Sequence, residues 1–311
     1  MARLQRSSGD AHAMLNLRFP GISVDGIEEI SGHRYRPDFL LPAVTRDIVA
    51  RHQGWMSPDL YDPQRDLLAM IRQSNLVRIG GRNVLIDTCV GDCKSRTVPA
   101  FHRLQSPWAD NFRRSGLRFD DIDLVVCTHL HVDHVGWNTR FEDGRWVPTF
   151  PNARYVFGRT EFTHWQREYA AGRDSPDGPV FADSVAPVVD SGLAWIVDDD
   201  ADLFEGLRLE PTPGHSVGHV AIHLEREGTH LVFSGDVMHH PIQVREPDLS
   251  SRFCEDPQAS RLARRRFLET HSDSDTIIIP AHFERGTAGR IVSASDGFHF
   301  DFLNGPSTRQ P

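Results

Sequence analysis

An α+β fold, with two packed sheets and helices outside them in one domain, is predicted by three observations. Short apolar runs with strand character recur along the whole chain, several of them joined in pairs by glycine-centred turns. Amphipathic segments of helical length lie between those runs rather than in one block. No internal repeat or low-complexity linker divides the 311 residues, a length sufficient for one large core.

The elements follow in order. Residues 1–13 are polar and are expected to form a flexible N-terminal tail. "MLNLRFPGISVDG" alternates apolar and polar residues and predicts a first strand. Residues 28–65 are mixed in character with several prolines, and read as an irregular or covering arm whose role the sequence leaves open. "AMIRQSNLVRIGGRNVLIDT" predicts a hairpin turning at Gly80-Gly81. "SPWADNFRRSGL" is a short helix with a serine cap and a glycine stop, and "DIDLVVCTH" a buried strand. "ARYVFG" (strand), "RTEFTHWQREYA" (helix), "VFADSVAPVV" (helix despite its proline) and "LAWIVD" (strand) continue the alternation. "LRLEPTPGH" is a strand entering a loop, and "HVAIHLEREGTHLVFSGD" a hairpin turning near Glu227-Gly228. "PQASRLARRRFLETH" is the longest helix, with "RLARRRF" expected on its solvated face, and "DTIIIPAHF" is the last core strand expected.

Composition excludes several classes. With 34 Lys and Arg against 43 Asp and Glu the net charge is −9, so no nucleic-acid partner is expected. No run approaches the ~20 apolar residues of a membrane span, and the N-terminus lacks a signal-peptide apolar region. The cysteines Cys89, Cys93, Cys127 and Cys254 are expected as free thiols in a reducing, cytoplasmic setting. The expected partners are a small-molecule substrate and, at most, a second copy of the chain in a homodimer.

The chemistry concentrates where apolar strands end. "CTHLHVDHVGWN" places His129, His131, Asp133 and His134 in six positions after a greasy run. "TPGHSVGH" brings His215 and His219, "LVFSGDVMHH" brings Asp236, and "IIIPAHF" brings His282. Each repeats one grammar: apolar strand, small or turn residue, ligand-type residue. Imidazole and carboxylate are good ligands for zinc and similar ions. Two metals about 3.5–4 Å apart need six or seven such groups and a bridging carboxylate. Chance among 17 histidines is a poor account of four ordered motifs. For the isolated His33, His102 and His271, a packing or surface role is the simpler reading.

The pattern H-x-H-x-D-H, then G-H, G-D and a final H resembles the metallo-β-lactamase superfamily, over about residues 15 to 295. "LIDT" at 85–88 resembles that superfamily's early aspartate motif, with Cys89 where a glycine is common. The resemblance implies an αβ/βα four-layer sandwich (metallo-β-lactamase fold) and two divalent metal ions, zinc in first place. His129, His131 and His215 would hold one ion, Asp133, His134 and His282 the other, with Asp236 between them. "HLHVDHVGWN" and "SGDVMHHPIQ" are similar to the branch of N-acyl-homoserine lactonases and methyl parathion hydrolase. There a metal-bridging hydroxide would open a lactone or cleave a related ester, with Asp133 relaying a proton. His239 stands three residues after Asp236, where those lactonases usually have tyrosine, and is expected to donate a hydrogen bond to the substrate oxygen. Phosphotriester hydrolysis, hydrolytic dehalogenation and a non-catalytic metal-binding scaffold are the alternatives. His219 is read either as orienting the His215 loop or as a core histidine, and Asn138 as a brace of the metal turn. Phe101, His102, Trp108, Trp137 and Met238 are read as pocket lining or, more simply, as ordinary packing.

Overall fold

The computed structural model describes residues 15–204, 206–284 and 288–303. The expected flexible tail, residues 1–13, lies outside them. Among the described residues, two compact units contain 16–30 and 72–201 in one case, and 31–71 with 202–303 in the other. The secondary structure is α+β, as expected, with strands in two mixed sheets.

One sheet has eight strands, seven of them hydrogen-bonded in chain order: Asn16–Phe19, Ile22–Tyr35, Leu67–Ile79, Arg82–Ile86, Leu124–Val126, Arg154–Gly158 and Ala194–Val197. The last four of these pair in parallel. A parallel strand is covered on both faces and reads as an unbroken apolar run, which explains why "LVV" at 124–126 is buried at every position. The hairpin turn at Gly80 and Gly81 has φ of 57° and 77°, the pair of left-handed residues that a tight two-residue turn requires. In the first unit Trp108 is fully buried, stacks on Trp137 at 4.7 Å and donates to Ser74 Oγ at 3.0 Å. Trp108, Trp137 and Phe101 share one apolar cluster, so packing accounts for them.

The other sheet has seven strands, again in chain order: Asp202–Phe204, Leu207–Pro211, Val220–Arg226, Thr229–Gly235, Ile277–Pro280, Gly289–Ala294 and Gly297–Phe302. Only Thr229–Gly235 and Ile277–Pro280 run in parallel. The helix Pro257–His271 precedes that second strand. It is started by Asp256, whose carboxylate accepts from the N–H groups of Gln258 and Ala259, and by Pro257 at its first turn. Its Phe267 and Leu268 pack with Val232, Ile278, Phe283 and Met238. Burying each such side chain contributes about 1.5–3 kcal/mol. Met238 is therefore core, as the simpler reading held.

Five sequence expectations need correction, four of them in the course of the chain's elements. Residues 28–65 are not irregular throughout: Ile22–Tyr35 is one long strand and Arg46–Met56 a helix capped by Thr45, whose hydroxyl accepts from Ile48 N–H. The helix Trp108–Arg114 is preceded by Pro107 without a side-chain cap, although Ser106 Oγ does accept from Trp108 N–H. "VFADSVAPVV" forms two short helices, Val180–Ser184 and Ala186–Asp190, broken where Pro187 starts the second. Two further strands follow Ile277–Pro280, paired with each other from Gly289↔Phe302 to Ala294↔Gly297.

"RLARRRF" is not wholly a solvated face. Arg264 is fully buried. Its guanidinium donates to the carbonyls of Pro247 and Val237, both at 2.9 Å, and burial pushes its pKa down to about 10. Three consecutive arginines cannot share one helix face, and the 264 position falls on the side that carries Phe267 and Leu268. Arg264→Leu is expected to lower stability by about 3 kcal/mol or more, because two buried carbonyls lose their donor. A fall in the urea midpoint without a change of slope would report it. An unchanged midpoint would mean the two carbonyls find other donors.

Candidate metal centre

In the first unit, the ligand turn grows from the end of Leu124–Val126. Asp87, just past Arg82–Ile86, fixes its start. The Asp87 carboxylate accepts from Thr128 N–H at 2.8 Å and from Thr128 Oγ1–H at 2.9 Å, and lies 2.8 Å from His134 Nδ1. That last contact places the Nδ1 proton and turns Nε2 of His134 outward as a lone pair. Thr128 Oγ1 is 3.0 Å from Nδ1 of His129 and orients the second ring in the same way. The rings of His131 and His134 sit 4.5 and 4.1 Å from that of His129, centroid to centroid. Oδ1 of Asp133 is 3.7 Å from His134 Nε2, while Arg72 Nε donates to its other oxygen at 3.2 Å. The structure thus brings His129, His131, Asp133 and His134 together.

The turn is locked from outside. Thr88 N–H donates to His134 O at 2.7 Å, and the Thr88 hydroxyl to Asn138 Oδ1 at 2.9 Å, so Asn138 braces the turn as expected. Glu161 accepts from Leu130 N–H and Trp165 Nε1–H, both at 3.0 Å. Gly136 has no alternative: a Cβ there would stand 1.8 Å from Val90 O. Asp87 and Cys89 have φ of 55° and 52°. Left-handed backbone at residue 89 is the reason glycine suits that place, and the buried Cys89 holds it at a cost of about 1 kcal/mol.

In the second unit, Asp236 is the hub. His215 Nε2 and His239 Nε2 each lie 3.2 Å from its Oδ2, and His282 Nε2 lies 3.0 Å from its Oδ1. His282 Nδ1–H donates to Ile71 O at 2.9 Å, which again leaves Nε2 to face the carboxylate. His219 is neither ligand nor idle core. Its Nε2 accepts from Asp236 N–H at 2.9 Å while its Nδ1–H donates to Thr212 Oγ1 at 2.8 Å, so it ties the Asp236 and His215 loops together. Gly214 lets that loop run against the helix Pro257–His271, since a Cβ would stand 2.1 Å from Ser260 N.

The donor set fits divalent metal ions in each unit taken alone. Imidazole Nε2 atoms, with the Nδ1 sides of His129, His134 and His282 anchored, approach carboxylates at distances one cation would span. His215, Asp236 and His239 form one such triad of ligand atoms within 4.8 Å. His239, expected as a substrate donor, is thus as near the hub as the expected ligand His215. A protein nucleophile is not supplied by Cys127, whose thiol burial pushes far above its ordinary value, and Ser216 and Ser234 are fully buried. All four cysteines are free.

Residue-by-residue reading of the sequence did not assign roles to Asp87, Thr128, Arg72 or Thr212. Asp87 carried a signal, since it ends the strand of "LIDT". We expect Asp87→Asn to weaken metal retention about 10- to 100-fold, the cost typical of losing a group that orients a ligand histidine. Metal remaining after dialysis against a graded chelator measures it, and retention equal to wild type would remove Asp87 from the site.

Comparison with known proteins bears on the family and the fold. The metallo-beta-lactamase superfamily model matches residues 69–282. N-acyl homoserine lactonase of Bacillus thuringiensis is 29% identical over 115 residues, 37% of this chain and 38% of that protein. The chain therefore aligns with well under half the length of that relative. A probable metallo-hydrolase of Mycobacterium tuberculosis is 24% identical over 247 residues, 69% of this chain and 75% of that protein. Among solved structures, the hydrolase AbOPH of the beta-lactamase superfamily superposes with a TM-score of 0.77 at 20% identity, covering 96% of this chain and 100% of its own. AidC, described as a dizinc quorum-quenching lactonase, superposes with a TM-score of 0.70 at 16% identity, covering 94% and 98%. Among the described residues, no helix is long and apolar enough to cross a membrane. With the family model matched across every motif from the Leu67–Ile79 strand to His282, the chain belongs to the metallo-β-lactamase superfamily.

Proposed function

We propose that His129, His131, Asp133, His134, His215, Asp236 and His282 together hold two divalent metal ions, zinc in the first instance, and that the enzyme opens lactones or cleaves related esters of small molecules. The observation that carries this is the shared presentation of the ligands: His134 and His282 anchor Nδ1 and turn Nε2 toward a carboxylate. Seven side chains also exceed the needs of one tetrahedral ion. Similarity to lactonases supports the substrate class, and the acidic chain favours a small molecule over a polyanion.

The bound ions would supply a water that is nucleophilic near neutral pH and would polarise the reacting carbonyl. The remaining work belongs to the chain. Asp133 has one oxygen beside His134 and the other held by Arg72, a placement suited to taking a proton and passing it on. Asp236 places a negative charge among three imidazoles, where it would offset the charge of bound cations. His239 donates from Nε2 to the substrate oxygen in our reading. A second reading, that His239 is itself a ligand, is favoured by its 3.2 Å approach to Asp236.

Metal analysis and kinetics separate the possibilities. Asp236→Ala is expected to hold at least one metal ion per chain fewer than wild type and to abolish turnover. Near-normal turnover in that variant would end the dinuclear reading. His239→Ala is expected to lower kcat by roughly one to two orders of magnitude with metal content intact, the usual cost of one lost oxyanion donor. Loss of metal with activity would make His239 a ligand instead. The ratio of kcat/KM for a lactone, an aryl ester, a phosphotriester and a haloaromatic on one zinc-loaded preparation decides the bond cleaved. Preference for either of the last two transfers the assignment to that chemistry, and turnover of none of them leaves a metal-binding scaffold.

A further inference from the structure

The seven-stranded sheet gathers a second group of imidazoles that the hydrolase reading does not use. Register pairs Arg208 with His223 and Glu225 with His230. By alternation Arg208, Glu210, His223, Glu225 and His230 share one face, while Leu207, Leu209, Ile222 and Leu224 occupy the other and are buried. The helix Pro257–His271 ends over the polar face. The ring of its last residue, His271, is 5.5 Å from that of His223 and 6.3 Å from that of His230.

Three donors converge there. His223 Nε2 is 2.6 Å and His271 Nε2 3.6 Å from the same Glu210 oxygen, and the three atoms lie within 4.8 Å of one another. His271 is 4% exposed, and its Nε2 is buried, aimed at the carboxylate and makes no hydrogen bond. A buried imidazole nitrogen left in that state is costly unless something else takes it up. Burial holds His223 and His230 below the usual histidine value, so both favour the neutral, metal-binding form. Burial alone would raise Glu210, but its hydrogen bond with His223 and the nearby His271 imidazole outweigh it and keep the carboxylate ionised.

The partners of an orienting relay are in place. His223 Nδ1 lies 2.9 Å from His230 Nε2, and His230 Nδ1 lies 2.9 Å from Thr276 Oγ1. With protons on both Nδ1 atoms, each ring donates down the chain and His223 Nε2 is left as a lone pair facing Glu210. Arg208 competes, since its Nη2 donates to His223 Nδ1 at 2.9 Å and so favours the proton on Nε2. That guanidinium is 40% exposed, with Glu225 at 3.7 Å as an alternative partner, and is free to swing aside.

We propose that Glu210, His223 and His271 form a zinc-binding site separate from the ligands of the family motifs, fastening the end of the helix Pro257–His271 to the sheet. Tetrahedral zinc sets its ligand atoms about 3.3 Å apart. The 3.6 Å spacing already fits, and the 2.6 Å spacing widens once a metal replaces the hydrogen bond. Water completes the set at the partly open Glu210 side, and zinc uptake releases the His223 Nε2 proton as Arg208 leaves Nδ1.

The test counts zinc by elemental analysis of purified protein after saturation and gel filtration. His271→Gln and Glu210→Gln are each expected to hold one zinc per chain fewer than wild type, with hydrolase activity unchanged. The difference is read whatever number the family ligands hold, so the hydrolase reading can fail without this one. His230→Ala leaves the three donors in place and is expected to weaken the extra zinc about 10- to 100-fold by calorimetric titration, as loss of an orienting partner does. Should either glutamine variant fail to fold, the calorimetric comparison stands alone. Equal zinc counts and equal titrations in wild type and variants would overturn the proposal, leaving the cluster a hydrogen-bonded network.

Discussion

Much of the first unit's polar architecture hangs on the carboxylate of Asp87. It stands at the end of one parallel strand and holds the start of the loop leaving the next, through Thr128, and the last histidine of that loop, His134. Three contacts from one side chain set the tautomer of a ligand, the backbone course between Thr128 and His134, and the seat of Thr128 Oγ1 beside His129. The residue itself takes φ of 55° to do so. Strain of this order is kept only where surrounding contacts over-determine it.

Asp236 plays the corresponding part in the second unit, with one difference. Asp87 is occupied by donors within hydrogen-bond reach, whereas Asp236 is faced by three imidazole Nε2 atoms whose own protons lie elsewhere or are shared. His219 holds the Asp236 backbone rather than its carboxylate, so the hub is positioned without using up its oxygens. One carboxylate braces a turn and the other gathers imidazoles, and the partners of each decide which.

The proposed ligand residues were legible because each follows a short apolar strand within a few residues, and such patterns survive without knowledge of the fold. Asp87 was visible only as a motif, since its effect depends on Thr128, forty-one residues away. Arg264 was misread because a basic run says nothing of which arginine a helix turns inward. The hairpin Thr139–Glu142 with Arg145–Pro148 went unseen although Asp143-Gly144 is a turn signal with φ of 49° and 81°. Its strands are short and half-exposed, so the apolar alternation that marks a strand is weak there. The Glu210, His223 and His271 cluster was beyond reach: its members lie on two strands and a helix end, and His271 alone looks like any buried histidine.

The C-terminal hairpin, Gly289–Ala294 with Gly297–Phe302, meets the preceding strand through one register pair, Ile278↔Gly289. Side chains carry most of its attachment, with Ile291 and Phe300 buried beside Phe283 and Ile278. Directional bonds from outside the ladder add to this: Asp273 N–H donates to Ile291 O at 3.0 Å, Ser293 N–H to Asp273 Oδ1 at 3.0 Å and Arg245 Nη1 to Phe298 O at 3.2 Å. Loss of this hairpin would bare the edge of Ile277–Pro280, the strand that leads directly into His282, so the bonds made by Asp273 and Arg245 also shelter the backbone beside that histidine.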